Sequence, residues 1–164
     1  MSMAEVSESM QYLTFRLDDE VFATDITQVR EVLDFTAVTR VPRTPDFMRG
    51  VINLRGSVVP VVDMRLKFGM SRTEQTVNTC IVIVEIKVDG EALVLGALAD
   101  SVQEVIELEP SQIEPAPRIG TRLDTGFIKG MGRKDEQFII ILDIDRIFSA
   151  DELADFGGTT AQSA

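Results

Sequence analysis

The chain carries one pattern twice, and this repeat limits the possible folds more than any other feature. The tetrapeptide Phe47–Gly50 recurs as Phe127–Gly130, with phenylalanine first and glycine last in both. Each copy is followed by an apolar, strand-like run that ends in aspartate, Val58–Asp63 in the first and Phe138–Asp143 in the second. Equivalent points in both pairs are 80 residues apart. Matches that keep their order and spacing in this way indicate a diverged internal duplication.

Weaker matches precede these at smaller intervals. Asp18–Glu20 corresponds to Asp89–Glu91 after 71 residues, and Val29–Val32 corresponds to Val102–Val105 after 73. The interval grows along the chain and never shrinks, which is what loop insertions between two copies would produce. The sequence therefore predicts two related subdomains.

Short apolar runs separated by turn residues occur throughout the chain. Tyr12–Leu17 alternates with strand periodicity before a turn at Asp18, and Val88–Glu91 contains an Asp-Gly hairpin dipeptide. The candidate helical pieces are short, whereas parallel α/β folds need crossover connections of about ten or more residues. The sequence therefore predicts an all-β fold with two units of about five strands each, of barrel or sandwich type, and only short helical turns.

The predicted boundaries follow the loops and the polar ends of the chain. Residues 1–10 are expected to form a disordered N-terminus, 157–164 a flexible tail, and 150–156 a short C-terminal helix. A single domain over 11–156 then contains subdomain one at about 11–78 and subdomain two at about 79–148. Exchange of terminal strands between the two subdomains is left open.

Composition excludes several classes of function. The chain has no histidine, so serine–histidine and cysteine–histidine catalysis and histidine-ligated metal sites are ruled out. A net charge of −11 would repel nucleic acid. The longest apolar stretch, Ala92–Ala99, is too short to span a bilayer, and the acidic start of the chain lacks an export signal. Most familiar enzyme chemistries are therefore removed, and we expect a cytoplasmic protein with no cofactor, metal or membrane insertion.

The charge is unevenly distributed along the chain. Between Arg40 and Arg72 there are seven basic residues and two acidic ones, a local charge of +5 that leaves −16 for the remainder. This segment is suited to an acidic protein partner.

The strand-end aspartates allow two interpretations. Asp18 and Asp63 superficially imitate the acidic site of a phosphorylated receiver domain, but that site needs parallel strands with crossover helices. Asp63 also has a twin at Asp143, which favours a structural role as a turn or capping residue in both copies.

The stretch Phe47–Arg65 carries the strongest family signal. It reads Phe-Met-Arg-Gly-Val-Ile-Asn-Leu-Arg-Gly-Ser-Val-Val-Pro-Val-Val-Asp-Met-Arg and closely resembles the CheW family of bacterial chemotaxis coupling proteins. The similarity covers nearly the whole chain from the Tyr12 strand onwards, through Ile26–Val32, Arg40–Pro42, Pro115–Pro117 and Leu142–Ile144. The resemblance implies that family's fold, two intertwined SH3-like five-stranded β-barrels, which agrees with the duplication and the strand pattern.

The resemblance also implies a function. Members of the family are non-enzymatic adaptors that join the cytoplasmic tip of a methyl-accepting chemoreceptor to the regulatory domain of the CheA histidine kinase. That kinase domain has the same double-barrel fold, so similar barrels can pack against one another and assemble into arrays. By this resemblance the isolated protein is expected to be monomeric, cytoplasmic and recruited to membrane-associated receptor arrays.

The family's receptor groove corresponds to residues in both copies. Val29, Glu31 and Val32 match groove positions in the first copy, and Val102 and Val105 are their counterparts in the second. A valine in a β protein is more often core than contact, so the interior is an open alternative for all four valines.

The motif Asn53–Gly56 contains a further candidate contact. Arg55 matches the family's motif arginine, and it either binds an acidic partner group or holds the turn through carbonyl oxygens. Asn53 and Gly56 are expected to be structural turn residues. The second copy reads Arg133–Glu136 at this point, so the function of this loop is not duplicated.

Kinase binding is assigned by resemblance to Phe47, Arg49 and Gly50. Phe47 has a twin in Phe127, which favours a core position, and Gly50 is expected to serve the backbone. Two alternatives to the chemotaxis adaptor stay open. One is the same role in a non-flagellar receptor–kinase pathway such as twitching motility, and the other is a β domain that binds a small molecule.

Overall fold

The computed structural model describes residues 9–115 and 125–148. The strands among these residues are β1 (Met10–Leu17), β2 (Glu20–Asp25), β3 (Val29–Asp34), β4 (Met48–Leu54), β5 (Ser57–Asp63), β6 (Cys80–Val88), β7 (Glu91–Ala99), β8 (Ser101–Leu108), β9 (Ile128–Lys134) and β10 (Gln137–Leu142). One short helix, α1 (Met64–Lys67), and four single 3-10 turns (Ile26–Gln28, Pro110–Gln112, Thr125–Phe127 and Ile144–Arg146) connect them. No helix within these residues is long and apolar enough to cross a membrane.

The strands form two five-stranded sheets of identical plan. Barrel 1 has the order β8-β1-β2-β10-β9, and barrel 2 has the order β3-β6-β7-β5-β4. Each strand of the first half has an equivalent five strands later: β1 corresponds to β6, β2 to β7, β3 to β8, β4 to β9 and β5 to β10. When every strand of barrel 1 is replaced by its equivalent, the strand order of barrel 2 results. The prediction of an all-β fold built from two duplicated five-stranded units is confirmed.

The two barrels are intertwined because each takes its first hairpin from the other half of the chain. The hairpin β1–β2 pairs with β8 and, in parallel, with β10, while β6–β7 pairs with β3 and, in parallel, with β5. Each parallel contact is short, for example Phe22 opposite Ile140. The domain and subdomain limits given above stay a prediction. Residues 1–8 and 149–164 lie outside the described part of the chain, and with them the C-terminal helix, the tail and most of the predicted disordered N-terminus.

A shared core holds the barrels together. Phe15 and Phe22 of barrel 1 belong to the same buried cluster as Val82 and Leu95 of barrel 2. The Phe22 ring is fully buried and stacks on Phe68 with ring centroids 5.6 Å apart. Each barrel also has a smaller core of its own. Because the largest core is common to both, the barrels are expected to unfold together.

The repeated glycine of the Phe-x-x-Gly motif has a steric reason. Gly50 has a φ of +149°, and a Cβ there would collide with the carbonyl oxygen of Thr39. Thr39 and Val51 exchange backbone hydrogen bonds of 2.9 and 2.8 Å, which hold the proline loop against β4. In the second copy a Cβ on Gly130 would lie 3.0 Å from the carbonyl oxygen of Glu114. The motif therefore marks the point where a loop crosses closely over a strand.

Candidate functional site

Edge strand β3 carries three of the predicted groove residues. Val29 is half-buried and packs against the shared core, whereas Val32 is 40% exposed. A β-bulge interrupts the pairing with β6 between Val29 and Glu31. Glu31 is half-buried beside the exposed Val32. The strand thus presents one valine to the interior and one to solvent.

Arg55 lies at the tip of the β4–β5 hairpin. Arg55 and Gly56 have φ values of +51° and +88°, the left-handed conformation that a two-residue hairpin turn requires at both positions. The Asn53 side chain accepts a hydrogen bond of 2.8 Å from the Gly56 N–H. Asn53 and Gly56 therefore shape the turn that presents Arg55.

An ion pair joins this turn to β3. The Arg55 guanidinium donates to both carboxylate oxygens of Glu31, with Nη1 3.4 Å from Oε1 and a closer contact between Nη2 and Oε2. The hydrogen bond with Glu31 raises the pKa of Arg55. The Arg55 side chain is 71% exposed, so water screens the pair and the pair adds little to stability. The guanidinium is oriented by Glu31 and open to a further partner.

The second copy repeats the valines without the ion pair. Val102 is half-buried against the shared core, and Val105 on edge strand β8 is 48% exposed. The positions that correspond to Glu31 and Arg55 are Glu104 and Asp135, which are both acidic. Asp135 and Glu136 adopt the two positive φ angles of the turn, +52° and +67°. The two barrels therefore present the same apolar pattern with different charges.

Sequence reasoning missed a second exposed apolar position in each barrel. Val58 on β5 is 54% exposed, and its twin Phe138 on β10 is 50% exposed. The Arg133 guanidinium lies over the Phe138 ring, 4.9 Å from its centroid. Strand alternation could have found both residues, because buried Val59 and Ile139 place their preceding neighbours on the outer face. We group these exposed apolar residues by barrel, Val32 with Val58 in barrel 2 and Val105 with Phe138 in barrel 1, and call the two groups the two apolar patches.

The three residues predicted to bind the kinase all make contacts within the protein. The Phe47 ring is 9% exposed and packs against Phe148 with centroids 5.5 Å apart. The Arg49 side chain is 17% exposed, and its Nη1 lies 3.2 Å from the Asp63 carboxylate. Gly50 lies beneath the proline loop, as described above. A kinase contact at these residues stays a prediction.

Asp63 is the centre of a buried polar network. Its carboxylate is fully buried and accepts hydrogen bonds from the Thr73 N–H (3.0 Å) and Oγ1 (2.7 Å), the Arg65 N–H (3.1 Å) and the Arg49 guanidinium. The bond from Arg65 caps α1, so the capping role predicted for Asp63 is confirmed. Its twin Asp143 occupies the equivalent cap position without a side-chain cap bond.

Comparison with known proteins identifies the family. Residues 11–152 match the CheW-like domain. The chain belongs to this family. Chemotaxis protein CheW of Klebsiella aerogenes is 35% identical over 152 residues, covering 93% of this chain and 89% of the relative. Chemotaxis protein CheW of Rhizobium meliloti is 32% identical over 142 residues, covering 87% of this chain and 89% of the relative.

A solved structure agrees with the fold. The scaffolding protein TtCheW from Thermoanaerobacter tengcongensis matches with a TM-score of 0.77 at 35% identity, covering 87% of this chain and 90% of that chain. The family resemblance and the SH3-like double barrel predicted from sequence are confirmed. The chain belongs to a family of non-enzymatic chemotaxis scaffold proteins.

Proposed function

We propose that this protein joins the cytoplasmic tips of chemoreceptors to the regulatory domain of a CheA-type histidine kinase in bacterial chemotaxis. The observation that carries the proposal is the pair of matching apolar patches, Val32 with Val58 on one barrel and Val105 with Phe138 on the other. A protein that links two partners needs two separate docking surfaces. Two copies of one barrel supply both surfaces in a single chain.

The apolar patches have the chemistry of docking surfaces. All four side chains are between 40% and 54% exposed, although each extends from a paired strand that could bury it. Burying exposed apolar side chains against a partner stabilises a complex, and a few side chains typically supply most of the binding energy of an interface. Phe138 is the largest of them and is held in place by Arg133.

The charges beside the patches favour two unlike partners. Barrel 2 presents the Arg55 guanidinium, oriented by Glu31, whereas the corresponding turn of barrel 1 carries Asp135. Charged groups at the rim of an interface select the partner and its orientation. We assign the surface with Glu31 and Arg55 to the receptor tip, because Arg55 is open to an acidic receptor side chain.

Burial divides the four valines predicted for the receptor groove into two roles. Val32 is exposed and would touch the receptor, whereas Val105, exposed on the other barrel, is proposed here to touch the kinase. Val29 and Val102 pack inward and would shape these two surfaces from behind. Arg49, Phe47 and Gly50 would act on kinase binding only indirectly, through the shape of the fold, because their side-chain positions are already occupied by internal contacts.

Recruitment to receptor arrays follows from these two contacts. The adaptor would reach the membrane-associated array through the receptor, and barrel-to-barrel contacts with the kinase would propagate the assembly. The relatives named above are chemotaxis proteins, which favours this pathway. The same role in a non-flagellar receptor–kinase pathway is kept as the alternative.

The test is a titration of the purified protein against two partners from the same genome, the kinase regulatory domain and a receptor cytoplasmic fragment. Arg55→Glu would place two carboxylates together and is expected to weaken receptor binding. Val32→Ala and Val105→Ala are expected to weaken binding to different partners. Val77→Ala is the matched control, because Val77 is 99% exposed and outside both patches.

The outcomes separate a binding role from a structural one. Weaker binding with an unchanged thermal unfolding temperature supports the adaptor and assigns its surfaces. Failure of the unmodified protein to bind either partner would refute the proposal. Equal losses for Val32→Ala and Val77→Ala would refute the assignment of the first patch.

A further inference from the structure

A basic cleft lies beside the proline loop, outside both apolar patches. It has a volume of about 610 Å³ and is bounded by the loop on one side and by residues around α1 and β4 on the other. Four arginines line it, Arg40, Arg43, Arg49 and Arg72, against one carboxylate, Asp46. We call this cavity the arginine cleft.

The positive charge of the arginine cleft is not balanced within the described residues. Arg49 is paired with buried Asp63, but Arg40, Arg43 and Arg72 make no hydrogen bond or ion pair with residues 9–115 or 125–148. Burial, together with the neighbouring charges of Arg72 and Arg40, lowers the pKa of Arg49. Like charges held together around a cavity repel one another unless an anion enters. The positive electrostatic potential in the cleft therefore favours binding of a negatively charged group.

The backbone at Arg43 gives independent support. Arg43 follows Pro42 and has a φ of +63°, a left-handed conformation that glycine adopts without strain and other residues adopt at a cost of roughly 1 kcal/mol or more. The Thr44 hydroxyl donates a hydrogen bond of 2.8 Å to the Val41 carbonyl and closes this turn. Folding alone would favour glycine at position 43. The chain has arginine at this strained position instead, and its guanidinium group lines the cleft.

Apolar walls distinguish the cleft from a simple phosphate site. Val41, Pro45, Met48 and Leu66 line it between the arginines. A bare inorganic anion would gain nothing from these surfaces, whereas a peptide with apolar side chains between its carboxylates would use both. Guanidinium groups bind carboxylates with two parallel hydrogen bonds, so several carboxylates on one segment can be held together.

We propose that the arginine cleft docks an acidic segment of a partner protein, with carboxylates on the arginines and an apolar side chain against the wall. This site goes beyond the adaptor role proposed above, because it shares no residue with the two apolar patches and, of the residues assigned to kinase binding, includes only the internally paired Arg49. It adds a charge-based contact for an extended acidic peptide. The chain outside residues 40–72 carries a net charge of −16, which disfavours binding of an acidic peptide elsewhere on the protein.

The experiment measures fluorescence anisotropy of a short labelled peptide of alternating glutamates and leucines. The matched probe has glutamine in place of every glutamate. The glutamate peptide is expected to bind in low salt and to weaken as salt rises. It is expected to bind about ten times more tightly than the glutamine peptide, because hydrogen bonds between guanidinium and carboxylate groups are stronger than those to neutral amides.

Arg43→Gly is the decisive variant. It removes a charge from the cleft and relieves the positive φ, so peptide affinity is expected to fall roughly tenfold while the unfolding temperature stays the same or rises. Arg72→Ala is expected to weaken binding similarly. Arg16→Ala is the control, because Arg16 is a partly exposed arginine of β1 that does not line the cleft.

Three results would overturn the proposal. The first is equal binding of the glutamate and glutamine peptides, and the second is unchanged affinity in Arg43→Gly and Arg72→Ala. The third is binding of tripolyphosphate at the cleft with no binding of the glutamate peptide, which would indicate a site for small phosphates. Kinase and receptor titrations are independent of all three, so failure of the adaptor role and failure of the cleft can be told apart.

Discussion

Replacing Asp63 with asparagine tests the buried polar network most directly. Each carboxylate oxygen accepts two hydrogen bonds, Oδ1 from the Arg65 N–H and the Thr73 hydroxyl, and Oδ2 from the Thr73 N–H and Arg49. Asparagine keeps one oxygen and places an NH₂ group at the other position. The two groups that donated hydrogen bonds to the replaced oxygen then face the NH₂ group, which is also a donor. Arg49 in addition loses its negatively charged partner.

The structure allows the cost to be estimated. Leaving a buried N–H without an acceptor costs about 1–3 kcal/mol, and removing one partner of a buried ion pair costs about 3–5 kcal/mol. The Arg49 side chain is 17% exposed, so water recovers part of the second amount. We expect Asp63→Asn to lower the free energy of unfolding by about 3 kcal/mol. For a protein of this size that corresponds to roughly 6–12 °C in unfolding temperature.

Asp143→Asn is the matched control for this prediction. Asp143 is the sequence twin of Asp63, but its side chain makes no cap bond and is 31% exposed. We expect a change of less than about 0.5 kcal/mol, as for other substitutions near the surface. Urea unfolding of both variants measures the difference. Equal losses in the two variants would show that the buried network does not stabilise the fold as argued.

The remaining predictions concern packing and thiol chemistry. Gly50→Ala should lower the unfolding temperature more than Gly130→Ala, because a Cβ at position 50 meets the Thr39 carbonyl more closely; equal shifts in calorimetry would contradict the steric argument. Phe22→Ala should cost about 3–5 kcal/mol in urea unfolding and keep one cooperative transition, since the shared core joins both barrels; two transitions would mean that the barrels unfold independently. Burial raises the pKa of the Cys80 thiol, so iodoacetamide should modify it more slowly at pH 8 than a free cysteine, with the rate rising towards higher pH; an equal rate would show an unperturbed thiol.

Most of the fold that could be predicted from the sequence was predicted from the internal duplication. Gly50 and Gly130 each lie where a loop crosses a strand, and Asp63 and Asp143 occupy the equivalent helix-cap positions, Asp63 as the last residue of β5 and Asp143 directly after β10. Such local requirements of sterics and turn geometry recur wherever the same unit recurs. The order and type of the strands could be predicted for the same reason.

Sequence alone predicted the functional surfaces only in part. Alternation could have indicated that Val58 and Phe138 face outward, but it does not say which strands lie beside them. Glu31 and Arg55 were selected by resemblance, and only the folded turn brings them into contact. The role of Arg49 was open for a further reason. Its partner Asp63 lies on another strand. Burial decides whether an arginine contacts a partner protein or stabilises the fold from within.

The amino-acid sequence by itself determined the two-copy plan, the short antiparallel strands and the exclusion of histidine-based chemistry, because each depends on residue type and local spacing. The tertiary structure alone decided that each hairpin pairs with the other half of the chain, since both copies offer strands of the same pattern and only packing of the shared core selects between them. It also decided which arginines of the cleft have a carboxylate partner among residues 9–115 and 125–148 and which have none there. Charge balance is a property of neighbours in space, and those neighbours come from distant parts of the chain.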